Sequence, residues 1–113
     1  MNIQIIGHNK CNKTKKAFRF FKERNIKYHF KDITEKPLSK GELENITRAI
    51  KAEELIDTES KLYKSKGYEY MEYNPSEELL KYPMLLKTPV VRNGHKVTIG
   101  YETEIWREWI NYS

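Results

Sequence analysis

The single cysteine of the chain, Cys11, has neighbours that would make its side chain a nucleophile. It lies in a polar turn between a short apolar run and the start of a predicted helix. A helix start exposes unpaired backbone N–H groups and a partial positive charge, and both favour a thiolate over a thiol. The ammonium groups of Lys13, Lys15 and Lys16 would lower the pKa of the thiol further if they lie within a few ångströms. These residue types predict thiol chemistry at this turn.

Thr14 forms a Cys-x-x-Thr arrangement with Cys11. One helical turn separates the two residues, so the Thr14 hydroxyl is expected to donate a hydrogen bond to the sulfur and also to cap the helix. The alternative is that Cys11 is a small buried hydrophobe whose identity is incidental. Polar and basic residues on both sides of the cysteine argue against burial. His8 is near enough to act as a base, although a polar turn residue is the more common role.

Composition indicates one domain with a heavily charged surface. The 113 residues suit a single core rather than two, and 33% of them are charged while 38% are apolar. No run is long enough to span a membrane, and the first residues lack the pattern of a signal peptide. One cysteine cannot form an internal disulfide. We therefore expect a cytoplasmic protein with no membrane partner.

The net charge of +5 results from 21 basic and 16 acidic residues, so most of the charge is balanced. The chain contains no zinc-finger spacing and no RNA-binding signature, and we expect no direct nucleic-acid partner. His8, His29 and His95 are scattered along the chain and have no second cysteine to join them. A metal site is therefore not expected.

Hydrophobic periodicity predicts the elements that position Cys11. The run Ile3–Ile6, bounded by Gly7, indicates a short buried strand. Apolar residues recur at helical spacing over residues 15–25 and then alternate over residues 26–30, which predicts a helix followed by a second strand. Strand, helix and strand of this size normally form a right-handed parallel crossover. The cysteine would occupy its first turn.

The rest of the chain predicts a helical insertion at about residues 39–83, then a hairpin and a last helix. Ser39 begins a capping box, and Asn74 begins another helix with proline as its first residue. Asn93-Gly94 between β-branched segments predicts a hairpin with a type I′ turn, in which both residues have positive φ. An amphipathic helix with two tryptophans follows. We expect one α/β domain over residues 1–113, with a mixed α+β sheet in the order β-α-β, helices, β-β-α.

This order, with a cysteine at the first strand–helix turn and a Thr-Pro pair before the hairpin, resembles the thioredoxin fold. More narrowly, the chain is identified as a member of the ArsC/Spx family, which holds glutaredoxin-linked arsenate reductases and the redox-sensing transcription regulator Spx. Three stretches carry the resemblance in the family's order. They are Gly7-His8-Asn9-Lys10-Cys11, Glu54-Leu55-Ile56-Asp57-Thr58-Glu59-Ser60-Lys61, and Leu85-Leu86-Lys87-Thr88-Pro89-Val90-Val91 with Gly100-Tyr101.

The resemblance implies a cis peptide bond before Pro89. A cis Thr-Pro bond costs little and would place backbone groups of Thr88 against the sulfur, ready to pair with an incoming extended chain. The alternative is an ordinary trans proline at the first residue of a strand. Lys13, Thr88 and Pro89 are the residues expected to contact a substrate.

Departures from the family's pattern bear on the substrate. Arsenate reductases of this type follow the cysteine with a Ser-Arg pair and use two further arginines to hold the oxyanion. Thr14-Lys15, Glu59 and Thr88 stand at these positions here. Lysine lacks the bidentate fork of arginine, and Glu59 would repel the anion. Spx-like switches commonly have a second cysteine where Thr14 stands, so an internal disulfide switch is excluded.

The sequence therefore favours a monothiol thiol-disulfide oxidoreductase of glutaredoxin-like type. Cys11 would attack a disulfide or a glutathione mixed disulfide, with Thr14 and Lys15 as further catalytic residues. The resolving thiol would come from glutathione, another low-molecular-weight thiol or a partner protein. The alternative is an Spx-like regulatory protein that binds RNA polymerase or another protein without catalysis. Arsenate reduction is the third hypothesis.

Overall fold

The computed structural model describes residues 1–112, which form two compact units. One unit comprises Met1–Asp32 and the chain from Thr88 onward, and the other comprises Ile33–Lys87. The strands are β1 (Ile3–Gly7), β2 (Tyr28–Asp32), β3 (Val90–Asn93) and β4 (Lys96–Ile99). The α-helices are α1 (Asn12–Glu23), α2 (Lys40–Thr47), α3 (Ala52–Leu55), α4 (Lys61–Ser65), α5 (Pro75–Lys81) and α6 (Thr103–Asn111).

The sheet lies in the first unit and has the strand order β2-β1-β3-β4. β1 pairs parallel with β2 and antiparallel with β3, so Ile5 lies opposite both Phe30 and Val91. β3 pairs antiparallel with β4. Both hydrogen-bonding edges of β1 are therefore paired, so β1 is one of two inner strands, and it carries the chain to Cys11. The predicted mixed α/β fold is confirmed.

Helix α1 forms because its apolar residues recur on one face, where Ala17, Phe20 and Phe21 are buried. The helix ends at Glu23 with Arg24 as its C-cap residue. Asn25 follows with a φ of 57°, the left-handed conformation that asparagine tolerates. The core of this unit joins α1 to the sheet and to α6. Its buried residues are Ile3, Ile5, Ala17, Phe20, Phe21, Val91, Trp106 and Trp109.

The hairpin is confirmed, but the predicted turn is wrong by one residue. Asn93 pairs with Lys96 as the last residue of β3, which leaves Gly94 and His95 as the two-residue connection. Only Gly94 has positive φ, at 61°, whereas Asn93 remains extended with the strand. A type I′ turn centred on Asn93-Gly94 would have removed the Asn93–Lys96 pair from the ladder. The register therefore excludes it.

The second unit contains α2 to α5. The predicted capping box is confirmed: the Ser39 hydroxyl accepts from Glu42 N–H at 3.1 Å, and the Glu42 carboxylate accepts from Ser39 N–H at 2.9 Å. The Asn74 side chain caps α5 by accepting from Glu77 N–H at 3.2 Å, with Pro75 as the first helical residue. Within residues 1–112, none of the helices has both the length and the apolar character required to cross a membrane.

Candidate functional site

Cys11 is the N-cap residue of α1, in the connection that follows β1. Its backbone N–H donates to the His8 carbonyl at 3.1 Å, which closes the turn, and its carbonyl accepts from Lys15 N–H at 3.1 Å, which begins the helix. The side chain is partly buried and forms no disulfide. The backbone N–H groups of Lys13 and Thr14, in the first helical turn, act on the sulfur, as the sequence predicts.

Thr88 supplies two polar contacts to the sulfur. Its hydroxyl donates to Cys11 Sγ at 3.1 Å, and the thiol donates to the Thr88 carbonyl at 3.6 Å. The peptide bond between Thr88 and Pro89 is cis, which confirms the prediction. Sequence reasoning placed backbone groups of Thr88 at the sulfur but missed its hydroxyl. The residue type was the available signal, because a threonine hydroxyl can donate a hydrogen bond. Sequence reasoning considered only that Thr88 replaces the arginine with which the family binds the anion.

Thr14 is fully buried in the first turn of α1, and its predicted capping role is wrong. Cys11 occupies the N-cap position, so Thr14 is already the third helical residue. The Thr14 hydroxyl oxygen has no hydrogen-bond partner of regular geometry among residues 1–112. The Thr14 hydroxyl nevertheless lies beside the sulfur, where it lowers the pKa of the Cys11 thiol. A donor with no competing partner remains available when the thiol loses its proton.

Gly7 makes room for Thr14 at the end of β1. A Cβ atom on Gly7 would overlap the Thr14 side chain, lying within 2.8 Å of its Cγ2. A glycine at this position therefore permits the strand end and the first turn of α1 to approach closely. Sequence reasoning used Gly7 only to end the strand and did not detect this packing role.

The pKa of the Cys11 thiol results from opposing effects. Partial burial raises it, because a thiolate loses hydration. The hydroxyls of Thr14 and Thr88 lower it, and the backbone N–H groups of Thr14 and Lys13 lower it further. Together these donors outweigh burial, so the pKa lies below its ordinary value. The site holds a thiolate more readily than a free cysteine does.

The predicted effect of the lysine ammonium groups is not found. The side chains of Lys13 and Lys15 are exposed, and the Lys16 ammonium lies 5.8 Å from the centre of the Tyr101 ring. None of these charges is among the causes that shift the Cys11 pKa; the Lys13 contribution comes from its backbone N–H. The reason is geometric, because side chains on the outer face of the first helical turn point to solvent. Salt and water screen a charge in that position.

The other sequence candidates lie as follows. His8 contributes its carbonyl to the turn, and its Nδ1 atom is buried without a hydrogen-bond partner among residues 1–112. Glu59 belongs to the second unit, where its exposed carboxylate lies 3.7 Å from the Lys64 ammonium. In the part of the chain that the structure describes, no three histidine, cysteine or carboxylate side chains are grouped to hold a metal ion.

The chain matches a known protein family over most of its length. The family model described as "ArsC family" matches residues 7–109. The chain belongs to the ArsC family. The family predicted from the sequence is therefore confirmed.

Relatives of the ArsC-family chain include regulators and proteins without an assigned role. It is 31% identical over 116 residues to "Global transcriptional regulator Spx 2" of Oceanobacillus iheyensis, covering 97% of this chain and 84% of that protein. It is 27% identical to "Uncharacterized protein YusI" of Bacillus subtilis, covering 96% and 98%.

Solved structures of ArsC-like proteins share the fold. An ArsC family related protein from Bacteroides fragilis superposes with a TM-score of 0.83 at 22% identity, covering 96% of this chain and 97% of that one. An arsenate reductase from Vibrio cholerae superposes with a TM-score of 0.82 at 18% identity, with the same coverages of 96% and 97%. At these identities the likeness concerns the fold alone.

Proposed function

We propose that the protein is a monothiol thiol-disulfide oxidoreductase with Cys11 as its nucleophile. The observation that carries the proposal is the Thr88 hydroxyl donating to the sulfur at 3.1 Å, at a helix start where the thiol pKa lies below its ordinary value. The thiolate is the attacking species in thiol–disulfide exchange, and a lower pKa increases its population near neutral pH.

The proposed reaction is the reduction of a glutathione mixed disulfide in two displacements. The Cys11 thiolate attacks the glutathione sulfur and forms a new S–S bond with it, while the old S–S bond breaks and the substrate leaves as a thiolate that takes a proton from water. A second glutathione, as thiolate, then attacks the bound glutathione sulfur. This step releases oxidised glutathione and restores the Cys11 thiolate, so the external thiol supplies both electrons.

We assign separate roles to the residues around the sulfur. Thr14 and Thr88 stabilise the thiolate as hydrogen-bond donors, both in the resting protein and when Cys11 is the leaving group. The exposed ammonium groups of Lys13 and Lys15 attract the carboxylates of glutathione. The backbone beside the cis Thr88–Pro89 bond pairs with the extended part of the substrate.

The test combines the pH dependence of Cys11 alkylation with reduction of a glutathionylated peptide by glutathione. We expect the alkylation midpoint of the wild type below the value of about 8.5 for a free cysteine. Thr14→Ala should raise the midpoint because a thiolate donor is lost, whereas Lys15→Ala should leave it unchanged and raise KM for the glutathionylated peptide. Cys11→Ser is the inactive control. A wild-type midpoint near ~8.5, or turnover equal to that of Cys11→Ser, would contradict the proposal.

The second candidate is a regulatory protein that binds RNA polymerase or another protein without catalysis. The 31% identity to an Spx regulator over 97% of the chain favours this candidate. A pull-down with purified RNA polymerase separates the two functions. Polymerase binding by both the wild type and Cys11→Ser, with no Cys11-dependent turnover, would favour the regulator.

Arsenate reduction is the least supported candidate. The groups that act on the Cys11 sulfur are threonine hydroxyls, a carbonyl and backbone N–H groups, and within residues 1–112 no arginine side chain is among them. An oxyanion at this sulfur would lack the bidentate partner that its geometry favours. Absence of arsenate reduction with thiol donors present would remove this candidate.

A further inference from the structure

A polar cavity of about 320 Å³ lies against α1, α6 and Tyr101, which lies between β4 and α6. None of its lining residues belongs to the Cys11 site. Four of the seven lining side chains are cationic, two are aromatic and one is a carboxylate. They are Lys16, Arg19, Phe20, Glu23, Arg24, Tyr101 and Arg107. The cavity therefore carries an excess of positive charge.

The Arg24 guanidinium is held in place before any ligand arrives. Its Cζ atom lies 3.8 Å from the centre of the Phe20 ring, and its Nη1 atom donates to the Phe20 carbonyl at 3.0 Å. The Arg107 guanidinium lies 5.8 Å from the same ring. Phe20 is a core residue with only 4% of its surface exposed, so it is a rigid platform for both guanidinium groups. Less side-chain freedom is lost when such groups bind an anion.

The positive charge of this cavity is not neutralised within the protein. Among residues 1–112, the four cationic side chains of the lining form no ion pair, and the Lys16 ammonium instead lies 5.8 Å from the Tyr101 ring. Glu23 is the one carboxylate in the lining. Over the whole chain most charge is balanced, since the sequence contains 21 basic and 16 acidic residues. The cavity departs from that balance, which indicates an anionic ligand.

We propose that this cavity binds a tetrahedral phosphate-class dianion, either as inorganic phosphate or as a small phosphomonoester. Planar guanidinium groups donate in pairs to phosphate oxygens, a geometry that ammonium groups cannot reproduce. At about 30 Å³ per water molecule, the cavity has the volume of roughly ten waters, which accommodates a phosphoryl group with part of its carrier. The exposed Tyr101 ring at the rim offers an apolar contact to that carrier.

The test is a titration of the 15N-labelled full chain with inorganic phosphate and, separately, with O-phosphoserine, at constant ionic strength. We expect saturable amide shifts that centre on the cavity residues. The double variant Arg19→Gln/Arg107→Gln should bind each phosphate ligand at least about tenfold more weakly than the wild type does, since charge-assisted hydrogen bonds are lost. Tighter binding of phosphoserine assigns the site to a phosphomonoester, and tighter binding of phosphate assigns it to the free anion.

Controls separate this site from general charge attraction and from the Cys11 site. Arg48→Gln removes an exposed arginine of the second unit and should bind as the wild type does. Cys11→Ser should also bind unchanged, whether or not the protein is an oxidoreductase. The proposal is wrong if neither ligand saturates, if Arg48→Gln weakens binding as much as the double variant, or if a triglutamate peptide binds more tightly than both phosphate ligands. The last result would assign the cavity to an acidic protein segment.

Discussion

At the scale of single residues, the character of Cys11 depends on a competition between burial and hydrogen bonding. Burial raises the pKa of the thiol, and four donors from Lys13, Thr14 and Thr88 lower it. None of these donors is a charged group: two are hydroxyls and two are backbone N–H groups. Because a hydroxyl in direct contact is not screened by salt as an exposed ammonium is, the low pKa should persist at high ionic strength.

Thr88→Val tests this competition, because valine keeps the shape of threonine but cannot donate to the sulfur. The pH midpoint of Cys11 alkylation should move upward, and the alkylation rate near neutral pH should fall several-fold as the thiolate becomes less populated. Thr88→Ser is the matched control and should keep the midpoint of the wild type. An unchanged profile in Thr88→Val would mean that the contact at 3.1 Å does not stabilise the thiolate.

At the scale of elements, the site depends on how closely the end of β1 approaches the first turn of α1. Gly7 is the last residue of β1, and the Thr14 side chain occupies the space that a side chain on Gly7 would need. The turn between them is fixed by the hydrogen bond from Cys11 N–H to the His8 carbonyl. This close packing holds the Thr14 hydroxyl beside the sulfur, although Thr14 does not cap the helix.

Gly7→Ala should disturb both stability and thiol chemistry. The added methyl group overlaps Thr14, and overpacking of this kind typically lowers the free energy of unfolding by about 1–3 kcal/mol. The displaced Thr14 should also raise the alkylation midpoint. Urea denaturation and alkylation measure the two effects.

Gly41→Ala is the matched control for that substitution. A Cβ on Gly41 meets nothing within 4 Å, and the residue lies in α2, where alanine is the better helix former. Its stability should be equal to or above that of the wild type. Adding Thr14→Ala to Gly7→Ala should recover part of the lost stability, because it removes the overlapping Cγ2 and hydroxyl. No recovery would rule out the steric explanation.

At the scale of the whole molecule, the site joins segments that are distant in sequence. Cys11 and Thr88 are 77 residues apart, yet both belong to the unit that contains the sheet. The core of that unit holds Trp106 completely buried, with its indole N–H donating to the Thr98 hydroxyl of β4 at 2.8 Å. This buried hydrogen bond ties α6 to the sheet.

Thr98→Val should destabilise the protein without altering the pKa of Cys11. The substitution leaves the Trp106 indole N–H buried without an acceptor, which costs about 1–3 kcal/mol. Denaturation followed by tryptophan fluorescence measures the loss, and alkylation checks the thiol. Thr58→Val, at an exposed position of the second unit, is the control and should change stability little. Equal stability of the two variants would show that the Trp106–Thr98 bond contributes nothing net.

Where a few neighbouring residues decide the conformation, the sequence predicted the local structure well. The capping box at Ser39 and the Asn74 cap are both present. Short β-branched runs, one period-2 pattern and helical spacing located the strands and the main helices of the sheet unit, although the alternation over residues 26–30 begins two residues before β2. The cis bond before Pro89 came from the family resemblance rather than from pattern, since a Thr-Pro pair by itself allows both isomers.

By itself, then, the sequence determined the order of elements, the family and the position of the one thiol at a helix start. Only the tertiary structure decided which groups act on that thiol: two threonine hydroxyls and backbone N–H groups, with the lysine charges facing solvent. It also placed the hairpin turn at Gly94-His95 and gave Gly7 its packing role. The physical reason is that local patterns fix backbone conformation. Contacts to the sulfur depend on which side chains from distant segments meet and which way they point.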